Sequence, residues 1–231
     1  MDKLKHLSKA IDDFVSIMEQ VKEERQKNIQ SGKFVNVFSL WNEFSGIKEP
    51  IHSRILQFFL SANPMHGQGN KFVHLFLKQI GMEFDESDEW YSTAEIGRVD
   101  VMLKRFHPRS VVIIENKSNW AGDQPNQLYR YWYENIHHCC DDCSRDFYKT
   151  HPEYKAVYLV PKKAKIPSDD SLQKPSDYPT DLPDILPMKP LVLSFDEEVA
   201  TWLDDCVASL PKENTPLINL ISQYKEYCKN L

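Results

Sequence analysis

Asp100, with Glu115, Asn116 and Lys117 at the end of an apolar run, are the residues of this chain with the most chemical content. Two carboxylates and an ammonium brought together can hold a divalent cation and hydrolyse a phosphodiester. The cation polarises a phosphoryl oxygen and lowers the pKa of water, while an adjacent ammonium stabilises developing negative charge. Mg2+ suits such an oxygen-only set, because it typically takes one or two carboxylates and fills its other positions with water and phosphate oxygens. Mn2+ is a workable substitute.

Two strands must position these groups. Arg98 to Arg105 and Ser110 to Lys117 are β-branched or apolar runs, and Phe106-His107-Pro108-Arg109 between them has loop character. A hairpin centred on that loop sets Asp100 directly opposite Glu115. Side chains alternate faces along a strand, so Glu115 and Lys117 share a face about 7 Å apart while Asn116 points away, its backbone carbonyl still available as a ligand. Opposed like charges destabilise a bare sheet, which argues for a bound cation. The spacing alone fits a solvent-facing acidic patch at a strand end better than a site.

Trp120-Ala121-Gly122-Asp123 breaks the second strand. A helix is predicted to start near Asp123, a good cap residue, with Pro125 in its first turn. Gln124, Gln127 and Tyr131 then fall at i, i+3 and i+7 on one face that begins close to the acids. A face packed on the sheet would show the same spacing.

Gly97-Arg98-Val99-Asp100, Glu115-Asn116-Lys117, Ala121-Gly122-Asp123-Gln124 and Gln127 to Tyr131 together resemble the PD-(D/E)XK nuclease superfamily, in particular a bacterial branch whose site reads Glu-Asn-Lys. Gln127 to Tyr131 also matches the Gln-x-x-x-Tyr element of the exonuclease branch. Upstream, Glu49 to Leu56 and His66 to Gly69 fit the pattern, as do Tyr158 to Pro161, Leu193 to Glu197 and Trp202-Leu203 downstream.

The resemblance implies an α/β, restriction-endonuclease-like fold: an αβββαβ core with a mixed central sheet flanked by helices, plus N- and C-terminal helical additions. It implies Asp100 and Glu115, with the Asn116 carbonyl, as ligands of Mg2+, and Lys117 as the group that positions or polarises the attacking water. Glu49, on the helix before the sheet, corresponds to an accessory acid. Gln124, Gln127, Tyr131, His52 and Arg98 become candidate substrate contacts, and the substrate a nucleic acid, DNA first. The Pro-Asp pair of the family name is Val99-Asp100 here. His52 also reads as a hydrogen-bonded structural histidine.

The formal charge of −6 argues against broad, charge-driven adhesion to DNA. Lys104, Arg105, Arg109, Lys117 and Arg130 remain to form a positive lane around the site. A catalytically silent subunit that binds nucleic acid or protein on the same scaffold is the principal alternative, and hydrolysis of a nucleotide or another phosphate ester is a third. No apolar stretch approaches the roughly 20 residues of a membrane span, and Met1 to His6 opens a charged helix without a signal-peptide core, so a cytoplasmic protein is expected. Five cysteines, an odd count, fit a reducing compartment. Cys139, Cys140 and Cys143 beside His137, His138 and His151 hint at zinc, but a lone Cys-x-x-Cys fits free thiols at a helix end better.

A single domain is expected, with an N-terminal helix over 2–30, a core over about 35–161, a proline-rich excursion over 161–190 and C-terminal helices over 195–230. Leu4, Leu7, Ile11, Phe14, Val15, Met18 and Val21 form an apolar stripe that fits either a face packed on the domain or a dimer contact. Phe34, Phe38, Trp41 and Phe44 read as core. A helix follows from about Glu49 to Leu60, and His66 in the glycine-rich loop after it suits either a phosphate contact or a turn. Further helices are expected over Lys71–Ile80 and Thr215–Leu231. Strands are expected at Trp90–Glu95, Tyr154–Val160 and Leu191–Leu193.

Overall fold

The computed structural model describes residues 2–33, 35–63, 65–140 and 144–231, and for 2–8 and 10 the backbone alone. Four helices lead in: α1 (Asp2–Gln30), α2 (Val37–Ser45), α3 (Glu49–Phe59) and α4 (Lys71–Gln79). The strands β1 (Tyr91–Ile96), β2 (Val99–Arg105) and β3 (Ser110–Asn116) follow as an antiparallel meander. After β3 the chain forms α5 (Gln127–Trp132), a π-helical turn at Tyr133–His137, and the short α6 (His138–Cys140) and α7 (Arg145–Thr150). It then enters β4 (Tyr154–Val160), which lies parallel to β3. The small α8 (Asp169–Leu172) precedes β5 (Leu191–Ser194), parallel to β4, and α9 (Ala200–Ala208) and α10 (Thr215–Cys228) close the chain. The result is an α/β fold with a mixed five-stranded sheet in the order β1-β2-β3-β4-β5. The αβββαβ core is present, with β5 added at its edge.

Period-two alternation divides the sheet into two apolar faces. Leu103, Val112, Ile114, Val157 and Leu159 turn toward a core built with α3, α4, α9 and α10. Val111, Ile113, Ala156, Tyr158 and Val160 turn toward α5, where Tyr129 and Trp132 pack. Burial on both sides explains why β3 reads as an unbroken apolar run; every one of its residues is buried. The proline-rich excursion is mostly irregular, yet Leu182, Leu186 and Met188 pack into the α5-side core and a Gln173–Ile185 bridge ties it together.

Several expectations need correction. Trp41 and Phe44 are 44% and 82% exposed, so of that aromatic run Phe38 alone is seen in the core, and Phe34 lies outside the described residues. The described side chains of α1 are exposed with the exception of the half-buried Asn28, so the described part of its stripe, Ile11 to Val21, is not packed on the sheet layers. The helix after β3 begins at Gln127 rather than near Asp123. Asn126 precedes it in a left-handed conformation, φ 58°. His66 serves its own turn: Nε2 lies 2.7 Å from the Ser61 carbonyl and Nδ1 accepts the Gln68 N–H at 3.0 Å.

His52 is also structural. It is fully buried against Phe195, Tyr224 and Tyr227, with Nδ1 2.9 Å from the Tyr224 hydroxyl and Nε2 without a partner. Its expected place among the substrate contacts is therefore corrected: as the fourth residue of α3 it points into the helical layer, away from the acids. Burial pushes its pKa down to about 4. Because the unfolded chain takes up the proton first, stability is retained above the ordinary histidine value of 6.5 and lost as pH falls from there to about 4. In urea titrations across this window the wild type should lose about 2–3 kcal/mol. His52→Phe should flatten that slope, and an unchanged slope would contradict the assignment.

Candidate active site

The loop Phe106–Arg109 joins β2 and β3 with Val101 opposite Ile114 and Leu103 opposite Val112. Continued by one residue, this register sets Asp100 across from Glu115. Alternation turns both acids toward α5, on the face of Val111 and Ile113. The half-buried Asp100 accepts the Asn116 backbone N–H at Oδ2, 2.6 Å away. Asn116 itself turns to the other face, where its Nδ2 donates to the Glu49 carbonyl at 3.0 Å and to Ser53 Oγ at 3.1 Å. That pair of bonds fixes the start of α3 against the end of β3. It holds Glu49 over the site, where Glu49 Oε1 accepts the Asn119 N–H at 3.4 Å.

Lys117 is buried, with Nζ 2.6 Å from Glu115 Oε1 and 3.0 Å from Gln127 Oε1. The Gly122 carbonyl at 3.3 Å and Asp123 Oδ1 at 3.7 Å complete its surroundings. Gln127 uses the other end of its amide to donate from Nε2 to the Tyr131 hydroxyl at 3.0 Å. One helical turn of α5 thus reaches the ammonium through a single glutamine. Gln124 lies before α5 rather than on it, and its backbone N–H donates to Gln127 Oε1 at 3.3 Å.

Sequence reasoning took Asp123 for a helix cap and missed its place beside Lys117. It accepts the Tyr158 hydroxyl at 2.6 Å and the Ser168 N–H at 2.7 Å, which binds the proline-rich excursion to the site. Burial opposes its ionisation, but those hydrogen bonds prevail and hold its carboxyl below the usual range. The signal available in sequence was its position in a strand-breaking loop just past the lysine.

The electrostatics of the acid pair are unfavourable as they stand. Burial, and then the charge of Glu115, push Asp100 well above the ordinary carboxylate range, only partly offset by the Asn116 N–H. Burial raises Glu115 as well, against the pull of Lys117. Glu115 Oε2 is buried with no hydrogen-bond partner. An oxygen of this kind is costly unless something binds it. A hard cation shared with Asp100 would answer that need, and two carboxylates are a donor set that fits Mg2+. No group of three or more His, Cys, Asp or Glu side chains disposed for a metal occurs among the described residues. The remaining positions would thus fall to water and substrate.

These groups open into a cavity of about 430 Å3, which Glu49, Arg98, Gln124, Gln127, Arg130 and Tyr131 also line. Glu95, Arg98, Trp120 and Asn126 are the non-glycine residues with positive φ among those described, and all four lie on the segments that border it. Such conformations cost about 1–3 kcal/mol each and concentrate at functional sites. Of the expected positive lane, Lys117 and Arg130 line the cavity, where Arg98 joins them. Arg105 is buried instead in a pairing with Asp88 and Ser110 over Trp90. Cys139 and Cys140 direct their thiols at backbone carbonyls of the preceding turn, and Cys143 lies outside the described residues.

A sequence model described as PD-(D/E)XK nuclease superfamily matches residues 35–229. Comparison with curated proteins and with solved structures returns no match.

The acid pair makes a stability prediction of its own. Asp100 is raised in the folded state, so its contribution is favourable below the ordinary carboxylate range and is lost as pH rises through the elevated value. Asp100→Asn keeps an oxygen for the Asn116 N–H and removes the repulsion. The metal-free variant should be about 1–3 kcal/mol more stable than wild type at slightly alkaline pH and little different in acid, by denaturant titration. Lower stability at both values would contradict this description of the pair.

Proposed function

Since the chain belongs to the PD-(D/E)XK nuclease superfamily, we propose that it hydrolyses phosphodiester bonds, of DNA in the first place, with Mg2+ held between Asp100 and Glu115. The observation that supports this most is the partnerless Glu115 Oε2 on the same face as Asp100, with Lys117 2.6 Å from the other oxygen. When bound, the cation supplies Lewis acidity to the phosphoryl oxygen and makes hydroxide accessible near neutral pH.

The chain's own residues supply the rest. Asp100 and Glu115 would hold the cation, the Asn116 carbonyl would add a further oxygen, and Glu49 would act through bound water. Lys117 sets a positive charge beside the charge that develops on phosphate and would turn one of its three donors, now facing Glu115, Gln127 and the Gly122 carbonyl, to the attacking water. Gln127 and Tyr131 act as positioning residues: Gln127 is committed at both ends, to Lys117 and to Tyr131. Gln124, Arg98 and Arg130, on the cavity wall, meet the phosphate backbone. With a net charge of −6 the contact depends on these few groups and on the cation, so binding is modest and salt-sensitive. No described helix is long and apolar enough to cross a membrane.

The test is cleavage of single- and double-stranded DNA and RNA with Mg2+ or Mn2+. Asp100→Ala and Glu115→Gln should each lower the rate at least about a hundredfold. Lys117→Ala should abolish cleavage and also destabilise the fold by about 3–5 kcal/mol, because it strands a buried carboxylate. Gln127→Ala should reduce kcat with KM little changed. No cleavage by wild type, together with no rise in melting temperature on adding Mg2+ or Mn2+, would overturn the proposal in favour of a silent binding subunit.

A further inference from the structure

The helix α1 carries a feature the nuclease reading leaves unused. Ile11, Phe14, Met18 and Val21 fall on alternating three- and four-residue steps, the a and d positions of a heptad, and the sequence continues the repeat back to Leu7 and Leu4. Val15 and Ile17 flank the seam. All the described members are exposed, Phe14 to 63%, although the helix runs unbroken for 29 residues. A helix whose described apolar side chains are exposed draws little stability from propensity alone, and an apolar stripe of this length in water marks an interaction surface.

We infer that α1 pairs with α1 of a second copy of this chain as an antiparallel two-helix coiled coil. Two properties of the sequence select this occupant and this direction. The first is the end of the repeat. Arg25 and Asn28 take the next a and d positions, so a parallel pair in register would face Arg25 with its own copy. An antiparallel pair instead stacks Ile11 on Phe14, Leu7 on Met18 and Leu4 on Val21, each twice by symmetry, and leaves Arg25 outside the seam. The second is charge. Lys3 stands at a g position near the start of the helix and Glu24 at one beyond its middle. Reversing the partner turns the start of one helix toward the second half of the other. At the flanking g positions it sets Lys3 against Glu24 of the other copy, whereas a parallel pair matches neither with an opposite charge. The seam from residue 4 to residue 21 is about 26 Å long at the helical rise of about 1.5 Å per residue.

Sedimentation velocity of the full chain at tens of micromolar should give a species of twice 27.1 kDa. Phe14→Asp should give a monomer with an unchanged melting temperature for the sheet domain, because no described α1 side chain is buried against it. Glu24→Lys should weaken dimerisation about five-fold, from two lost surface pairs. Adding Lys3→Glu to that variant should restore it, which a parallel pair would not do. A monomeric wild type, a Phe14→Asp dimer, or a double variant no tighter than Glu24→Lys would each overturn the inference. Cleavage assays on the same monomeric variant keep this outcome separate from that of the nuclease proposal.

Discussion

The whole site depends on the burial of one ion pair beside a second acid. Glu115 and Lys117 sit two residues apart on the same face at the end of β3, 2.6 Å from each other and almost without solvent. Desolvating two charges costs several kcal/mol each before their attraction is counted, so such a pair contributes little net stability. Asp100 across the hairpin makes matters worse by adding a like charge. Local stability is sacrificed at this point, and the surrounding structure is arranged to hold it there.

Each support comes from a different element. From β3, the Asn116 N–H holds Asp100, and its side chain ties the sheet to the first turn of α3. From α5, Gln127 meets the ammonium and is itself held by Tyr131. From β4, Tyr158 reaches Asp123, whose other oxygen fixes the backbone at Ser168. The apolar layers on both sides of the sheet provide the rigidity these bonds need, since side chains locked by packing hold a geometry that loops alone would not.

Much of this was legible in the residues. The facing of Asp100 and Glu115 followed from side-chain alternation and the position of the loop, both properly local, and the mixed sheet followed from the apolar runs and the resemblance they supported. What was not legible depended on tertiary choices. Asp123 has the composition of a helix cap, but the tyrosine and backbone that claim it come from residues 158 and 168, far along the chain. His52 stands near Glu49 in sequence, yet a helix separates their directions by its own periodicity and sends the imidazole into the aromatic layer. Trp41 and Phe44 were read as core because aromatic residues usually are, and only packing could reveal that α2 turns them outward. For α1, the stripe was evident, but a heptad looks the same whether its partner lies in the same chain or in another.

The most direct test is diffraction from a crystal soaked in Mn2+, recorded at a wavelength where manganese scatters anomalously. The account predicts a single strong peak in the cavity within coordinating distance of one oxygen of Asp100 and of Glu115 Oε2. An empty cavity at saturating Mn2+, with the two carboxylates unmoved, would contradict it.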